Sequence, residues 1–244
     1  MKLRLILLLF SLAMVSAQAQ TSINKTFDVQ GFSELDLAFK YPKLVTIEVW
    51  DRDEVKLEGT VNIQGKLSDE DFEIKTSKSG DRFSIQSKIN NLRNHSNIIV
   101  SPDSDDEEEQ MIVTSGKGVT MTSGKRGRQT GDVYLAIELV ITIPEKMDVL
   151  LDARYGLVEV LQSPSSLEID ARYGGVDVTI DESSSLRLAA KTQWGQIFSN
   201  LAIPVEMGGD DMIGKWLKAR ASLKAGDNQL EVASQYGNVY LRKN

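Results

Sequence analysis

The chain has 244 residues, with 28 Lys+Arg against 35 Asp+Glu, one His and no Cys. That length permits one large domain or two small ones, and 41% hydrophobic with 26% charged residues is ordinary globular usage, which excludes a largely disordered chain and a polytopic membrane protein. Without Cys there is no disulfide framework, thiolate metal site or cysteine nucleophile, and a net charge of −7 argues against non-specific nucleic-acid binding.

Residues 1–19 read as an export signal. Lys2 and Arg4 form a basic start, residues 5–15 an apolar run, and Ala17-Gln18-Ala19 the small-x-small pattern that signal peptidase accepts. The run is shorter than the ~20 residues needed to span a bilayer. Cleavage is expected after Ala19, leaving residues 20–244 as a single domain, and no second stretch of membrane length follows. The mature chain is therefore expected to lack a transmembrane span and to sit in the periplasm or outside the cell. Asn24-Lys25-Thr26 and Asn94-His95-Ser96 fit the glycosylation pattern, which matters only in a eukaryotic host.

The first predicted strand, residues 35–42, alternates and ends in Tyr41-Pro42. Residues 44–49, 55–61, 72–75 and 83–86 also alternate, with turns at 50–53 and 77–81. Residues 89–131 read as a polar, mobile loop insertion. Strand character resumes at 133–143, before Pro144.

The remainder is a repeat. Residues 149–160 (VLLDARYGLVEV), 167–178 (LEIDARYGGVDV), 188–195 (LAAKTQWG) and 230–241 (LEVASQYGNVYL) align on Tyr155, Tyr173, Trp194 and Tyr236, spaced by 18, 21 and 42 residues. Trp216 falls midway in the last gap and marks one further degenerate unit. Each unit has period two: Leu167, Ile169, Ala171 and Tyr173 share one face, and Glu168, Asp170 and Arg172 the other. The pattern is a half-buried strand, a glycine-marked bend, then a second strand. A unit of about 20 residues cannot bury its apolar face alone, so equivalent units stack ~4.8 Å apart. This predicts an all-β, single-stranded β-solenoid, β-helix-like and right-handed, with an antiparallel β-sandwich as the competing architecture. The stack, in sequence order, would place Leu151, Ile169, Ala190 and Val232 in one inner column. Ala153, Ala171, Thr192 and Ser234 would form a second, and Tyr155, Tyr173, Trp194 and Tyr236 an aromatic one.

In its order of parts the chain resembles the bacterial putative-adhesin β-strand-repeat family, a family of unknown function related to auto-transporter adhesin heads. The resemblance covers most of residues 28–244. It lies in the strand pair around Trp50-Asp51-Arg52-Asp53, the Gly80-Asp81-Arg82-Phe83 hairpin, and residues 139–144 leading into Gly-x-Val-x-Val units. Tyr-Gly stands here where many relatives carry Asn-Gly. The resemblance implies a β-solenoid on an exported, adhesin-like protein and supplies no catalytic residues.

Candidate chemistry is sparse. Asp103, Asp105, Asp106, Glu107, Glu108 and Glu109 are rich in oxygen ligands but lack calcium-loop spacing, and a run of like charge usually makes a solvated loop. Ser115-Gly-Lys-Gly118 and residues 123–128 miss the phosphate-loop spacing. Lys117, Lys125, Arg126 and Arg128 are instead expected to fold back on the acidic run. Asp152 with Arg154 and Asp170 with Arg172 form either an inter-coil ion-pair ladder, the preferred reading, or a carboxylate pair of the kind that cleaves polysaccharides. His95 reads as an exposed loop residue, and Trp50 as a strand-end residue covering the core or a sugar platform. No catalytic, cofactor-binding or metal residues are assigned, and no cofactor is expected.

These readings lead to an exported, non-enzymatic, adhesin-like module of the cell envelope or surface, with an unknown protein or glycan as partner and no nucleic acid. The alternative is a carbohydrate-active enzyme or carbohydrate-binding module of the exported β-helix type, with Asp152, Asp170 and Asp177 as first suspects. A structural envelope protein is the third reading.

Overall fold

A computed structural model describes residues 21–94, 97–100, 109–114, 118–123, 133–209 and 215–244. The expected signal segment, His95, most of the acidic run and the basic segment at 124–128 lie outside the described residues. The described residues form strands in chain order. The first ten are β1 (Thr21–Asp28), β2 (Glu34–Phe39), β3 (Leu44–Trp50), β4 (Glu54–Gly65), β5 (Phe72–Ser79), β6 (Arg82–Ile89), β7 (Asn97–Val100), β8 (Glu109–Thr114), β9 (Gly118–Ser123) and β10 (Val133–Pro144). The next ten are β11 (Asp148–Ala153), β12 (Leu157–Val160), β13 (Ser166–Asp170), β14 (Val176–Ile180), β15 (Leu186–Thr192), β16 (Ile197–Ser199), β17 (Glu206–Gly208), β18 (Leu217–Leu223), β19 (Asn228–Ser234) and β20 (Val239–Lys243).

The protein is all-β, as the period-two alternation indicated, but it is not a single-stranded solenoid. Its strands form two large sheets, each mixing parallel and antiparallel pairs. The nine-stranded sheet runs β17-β18-β15-β19-β13-β11-β2-β6-β5. In the eleven-stranded sheet β16-β20-β14-β12-β3 leads to β10, whose opposite side carries β4 and then β1. The start of β10 also pairs with β7, which continues into β8 and β9. The described part of the expected 89–131 loop is thus largely a three-stranded branch.

Alternation explains the burial. Strand β10 reads buried at every second position from Val133 to Ile143, and β2, β13, β14 and β19 repeat that pattern. The buried sides of both sheets supply one apolar core, in which Leu37, Leu151, Ile169, Ile47, Val160 and Val178 are at most 2% exposed.

Two features overturn the expected stack. The first is antiparallel pairing at its flanks. β4 runs against β10 from Lys56 to Gly65, β5 turns back on β6 through Gly80 at φ +61°, and β18 runs against β15. Trp216 therefore precedes an antiparallel flanking strand and marks no further parallel unit. The second is strand order. The last unit does not follow the one bearing Trp194; β19 lies between β13 and β15, and β20 between β14 and β16. The inner column accordingly runs Leu37, Leu151, Ile169, Val232, Ala190, with Val232 ahead of Ala190. Recurrence of Tyr-Gly shows that units share a shape, but it carries no information on which unit lies beside which.

Candidate functional site

At the corner where the chain leaves the nine-stranded sheet for the other, each unit places its aromatic-glycine step. Tyr41, Tyr155, Tyr173 and Tyr236 stack there in that order, with ring centroids 5.0 Å apart at each step and interplanar angles of 7°, 6° and 8°. Parallel strands ~4.8 Å apart impose that spacing on equivalent side chains, and each ring pair adds ~0.5–1.5 kcal/mol beyond burial. The expected aromatic column exists, then, with Tyr41 joined to it. Trp194 is moved to its far end, where its backbone N–H donates to the carbonyl of Gln235 at 2.8 Å.

Why glycine follows Tyr155, Tyr173, Trp194 and Tyr236 is steric, whereas Tyr41 is followed by Pro42. A Cβ on Gly174 would stand 1.5 Å from the carbonyl oxygen of Gly156; on Gly156, 2.0 Å from that of Pro42; on Gly237, 2.1 Å from that of Gly174; and on Gly195, 2.0 Å from that of Gly237. In the last two units a hydroxyl replaces the alanine methyl of the second inner column. Ser234 Oγ donates to the Gly174 carbonyl and accepts from the Gly237 N–H, and Thr192 Oγ1 donates to the Gly237 carbonyl and accepts from the Gly195 N–H. Both residues are fully buried, and these bonds satisfy them.

Exposure grows along the column, from Tyr155 at 9% to Tyr236 at 41% and Trp194 at 51%. Beside it, an adjacent row carries Arg154, Arg172, Gln235 and Gln193, just past the ends of successive strands and tied by main-chain bonds. Lys40 heads this row one residue before Tyr41. Gln235 donates from Nε2 to Gln193 Oε1 at 3.1 Å. Burial raises the Tyr41 and Tyr155 hydroxyls above the usual phenol range, with nearby guanidinium groups opposing it. The rings are therefore neutral at physiological pH.

The column begins at a depression of about 600 Å³ lined by Lys40, Tyr41, Lys88 and Arg93, with Ser87, Asn91 and Asn94 as neutral polar groups and Ile89, Leu92 and Ile98 as apolar ones. Sequence reading found Tyr41 but missed this grouping. Its cations come from the residue after β2, the end of β6 and the turn after it, and no spacing in the chain links them. A second depression, of about 530 Å³, is lined by residues including Glu48, Glu145, Asp181 and Ser184.

The suspected acids are not brought together. Asp152 and Asp170 lie on the nine-stranded sheet, whereas Asp177 lies on the other, where the Arg242 Nε is 2.7 Å from both of its carboxylate oxygens. The expected inter-coil ladder is also corrected. In register Asp152 stands opposite Asp170, not opposite an arginine, and the Arg154 ion pair is with Asp152 of its own unit at 3.7 Å. Parallel in-register pairing of two near-identical units puts like residues opposite each other.

The Asp152 carboxyl is pushed above the usual range, first by desolvation, opposed by Arg154 and reinforced by Asp170. The folded chain therefore holds this proton more tightly than the unfolded chain, and its contribution to stability falls as pH rises through that raised value. Asp152→Asn is expected to stabilise the protein at neutral pH by roughly 0.2–1 kcal/mol, through removal of a partly desolvated charge and of its like-charge contact with Asp170. The gain should vanish near about pH 3, where an ordinary carboxyl is already protonated. Urea denaturation at the two pH values reads this directly, and an equal gain at both would contradict it.

Trp50 is held as a strand-end residue. Its indole N–H donates to the Glu54 carbonyl at 2.7 Å, and the Arg52 guanidinium lies 4.9 Å from its ring centroid. The described residues contain no helix long and apolar enough to cross a membrane, and no cluster of three potential metal-binding side chains.

Among solved structures the fold is similar to a putative cell adhesion protein from Clostridium sporogenes, with TM-score 0.46, 13% identity, and coverage of 93% of this chain and 100% of that one. It is also similar to a putative adhesin from Bacteroides fragilis, with TM-score 0.20, 10% identity, and coverage of 93% and 98%. No protein-family model matches the chain. No curated protein matches it. Neither structural likeness assigns a ligand.

Proposed function

We propose that the chain is an exported, non-enzymatic interaction module of the cell envelope or surface, adhesin-like in that it holds a partner on an extended β surface. One observation carries this reading. The tyrosine corner ends in half-exposed Tyr236 and Trp194 and is bordered along its length by Arg154, Arg172, Gln235 and Gln193, which makes a straight, rigid strip of aromatic and hydrogen-bonding groups. Exposed aromatic and arginine side chains are the groups that most often anchor binding, and parallel strands hold them with little entropy left to lose. The enzymatic alternative needs converging acids, and its three suspects sit on two different sheets.

The test uses residues 20–244 on a glycan array and on isolated bacterial envelopes, with a reducing-sugar assay alongside. Retention without sugar release is expected, and the Tyr236→Ala/Trp194→Ala double variant should lose retention at least about tenfold with its melting transition kept. Sugar release, or retention indifferent to that variant, would overturn the reading.

A further inference from the structure

We infer that the depression at the Tyr41 end of the corner is a binding site for an acidic sugar, a pyranose ring carrying a carboxylate within an anionic polysaccharide. The inference rests on the interaction-module reading and adds the ligand class. Three properties of the depression match three properties of such a ring.

The first is charge. Lys40, Lys88 and Arg93 line the depression, and among the described residues no carboxylate does. Asp152 interacts with Lys40 electrostatically but forms no ion pair with it within 4.0 Å, and two acids on neighbouring elements are engaged elsewhere. Glu73, opposite Lys88 in register, pairs with Lys75 at 3.4 Å. Asp71 accepts from the Ser68 backbone N–H at 3.0 Å and from the Asn91 amide at 3.5 Å. Lys40, Lys88 and Arg93 make no ion pair within 4.0 Å among the described residues. Three cations without an ion pair in one hollow of a chain with net charge −7 make a local excess of positive charge among the described residues, and low-dielectric walls focus such a field on an anion.

The second is hydrogen bonding. Asn91, Asn94 and Ser87 offer neutral donors and acceptors suited to ring hydroxyls. Asn91 is held in the left-handed region at φ 59°, which fixes the turn that presents Asn94 and Arg93. The third is an apolar face. Tyr41 is stacked on Tyr155 on one side and lines the depression with Ile89 and Leu92, a surface for the C–H face of a sugar. The volume, about 600 Å³, is in the ordinary range for small-molecule sites. Beyond the depression Arg154, ion-paired with Asp152, and Arg172 follow along the corner as hydrogen-bond donors, the direction in which further units of a polymer would run.

The experiment is calorimetric titration of residues 20–244 at about 150 mM salt with polygalacturonate, with neutral dextran and with polyglutamate, which carries carboxylates without sugar rings. Polygalacturonate should bind, dextran should not, and polyglutamate should bind at least about tenfold more weakly. The Lys40→Ala/Arg93→Ala double variant should lose at least about tenfold in affinity for polygalacturonate, since even one lost charge-assisted hydrogen bond costs that much, with its melting transition kept. Equal binding of polyglutamate would overturn the sugar assignment, and absence of polygalacturonate binding would overturn the site. Envelope retention that survives Lys40→Ala/Arg93→Ala but is lost in Tyr236→Ala/Trp194→Ala would overturn this inference while leaving the module reading standing. Retention indifferent to both variants would remove that reading as well.

Discussion

Gly174→Ala is expected to destabilise the protein by about 3 kcal/mol or more, the upper end of what overpacking costs. Gly174 has no positive φ, so the penalty is not conformational. The new methyl would meet the Gly156 carbonyl oxygen at 1.5 Å and its carbon at 2.6 Å. Both are main-chain atoms. Gly156 cannot retreat freely, because it is itself pressed close to the Pro42 carbonyl and held at φ +103°. From the other side the Ser234 hydroxyl pins the Gly174 carbonyl at 2.8 Å. The strain would spread into Tyr155, Tyr173 and Tyr236, whose stacking depends on the same strand spacing. Gly208→Ala is the control: nothing lies within 4 Å of its Cβ position, and a change under about 0.5 kcal/mol is expected there. Guanidinium denaturation of the two variants compares them, and equal midpoints would show that the glycine column bears no close contact.

Removal of residues 228–244 is expected to abolish cooperative folding. This segment holds β19 and β20, which are interior strands of both sheets although they come last in the chain. β19 is paired with β15 from Asn228 to Ser234 and with β13 from Gln229 to Ala233. Leu230, Val232, Val239 and Leu241 leave with it, each at most 2% exposed. Their burial alone is worth ~1.5–3 kcal/mol apiece, a sum comparable with the ~5–15 kcal/mol that stabilises a whole domain. β13 and β14 would also be left with unpaired backbone groups, which costs further free energy. Circular dichroism on heating reads the outcome. A truncated chain that melts sharply near the full-length temperature would mean that the segment is a peripheral last turn, as stacking in sequence order would have it.

Much of this was legible in the residues. Period-two alternation in 167–173 and 230–236 marked strands and their buried faces. The Tyr-Gly spacing identified Tyr155, Tyr173 and Tyr236 as equivalent, and the structure stacks them. Neighbour order was not legible, because Ile169, Ala190 and Val232 satisfy the same inward position and any order buries them. Antiparallel flanks were hidden for a related reason: β18 alternates as the parallel strands do, and direction leaves no trace in alternation. Asp152 facing Asp170 was missed because outward residues were paired by charge, whereas register pairs them by position. The basic depression joins Lys40 to Lys88 and Arg93 only through the pairing of β2 with β6.

Disulfide trapping tests the strand order most directly, because the chain has no cysteine of its own. Glu168 and Glu231 are register partners on β13 and β19 and are both exposed, so a Glu168→Cys/Glu231→Cys variant should close an intramolecular disulfide under mild oxidation with its melting transition kept. Glu168→Cys/Ala189→Cys spans two strand spacings, roughly 9.6 Å, beyond the ~7 Å that a disulfide can bridge, and should stay reduced. Closure of the second pair with failure of the first would contradict the insertion of the last strands and, with it, the arrangement of the tyrosine corner.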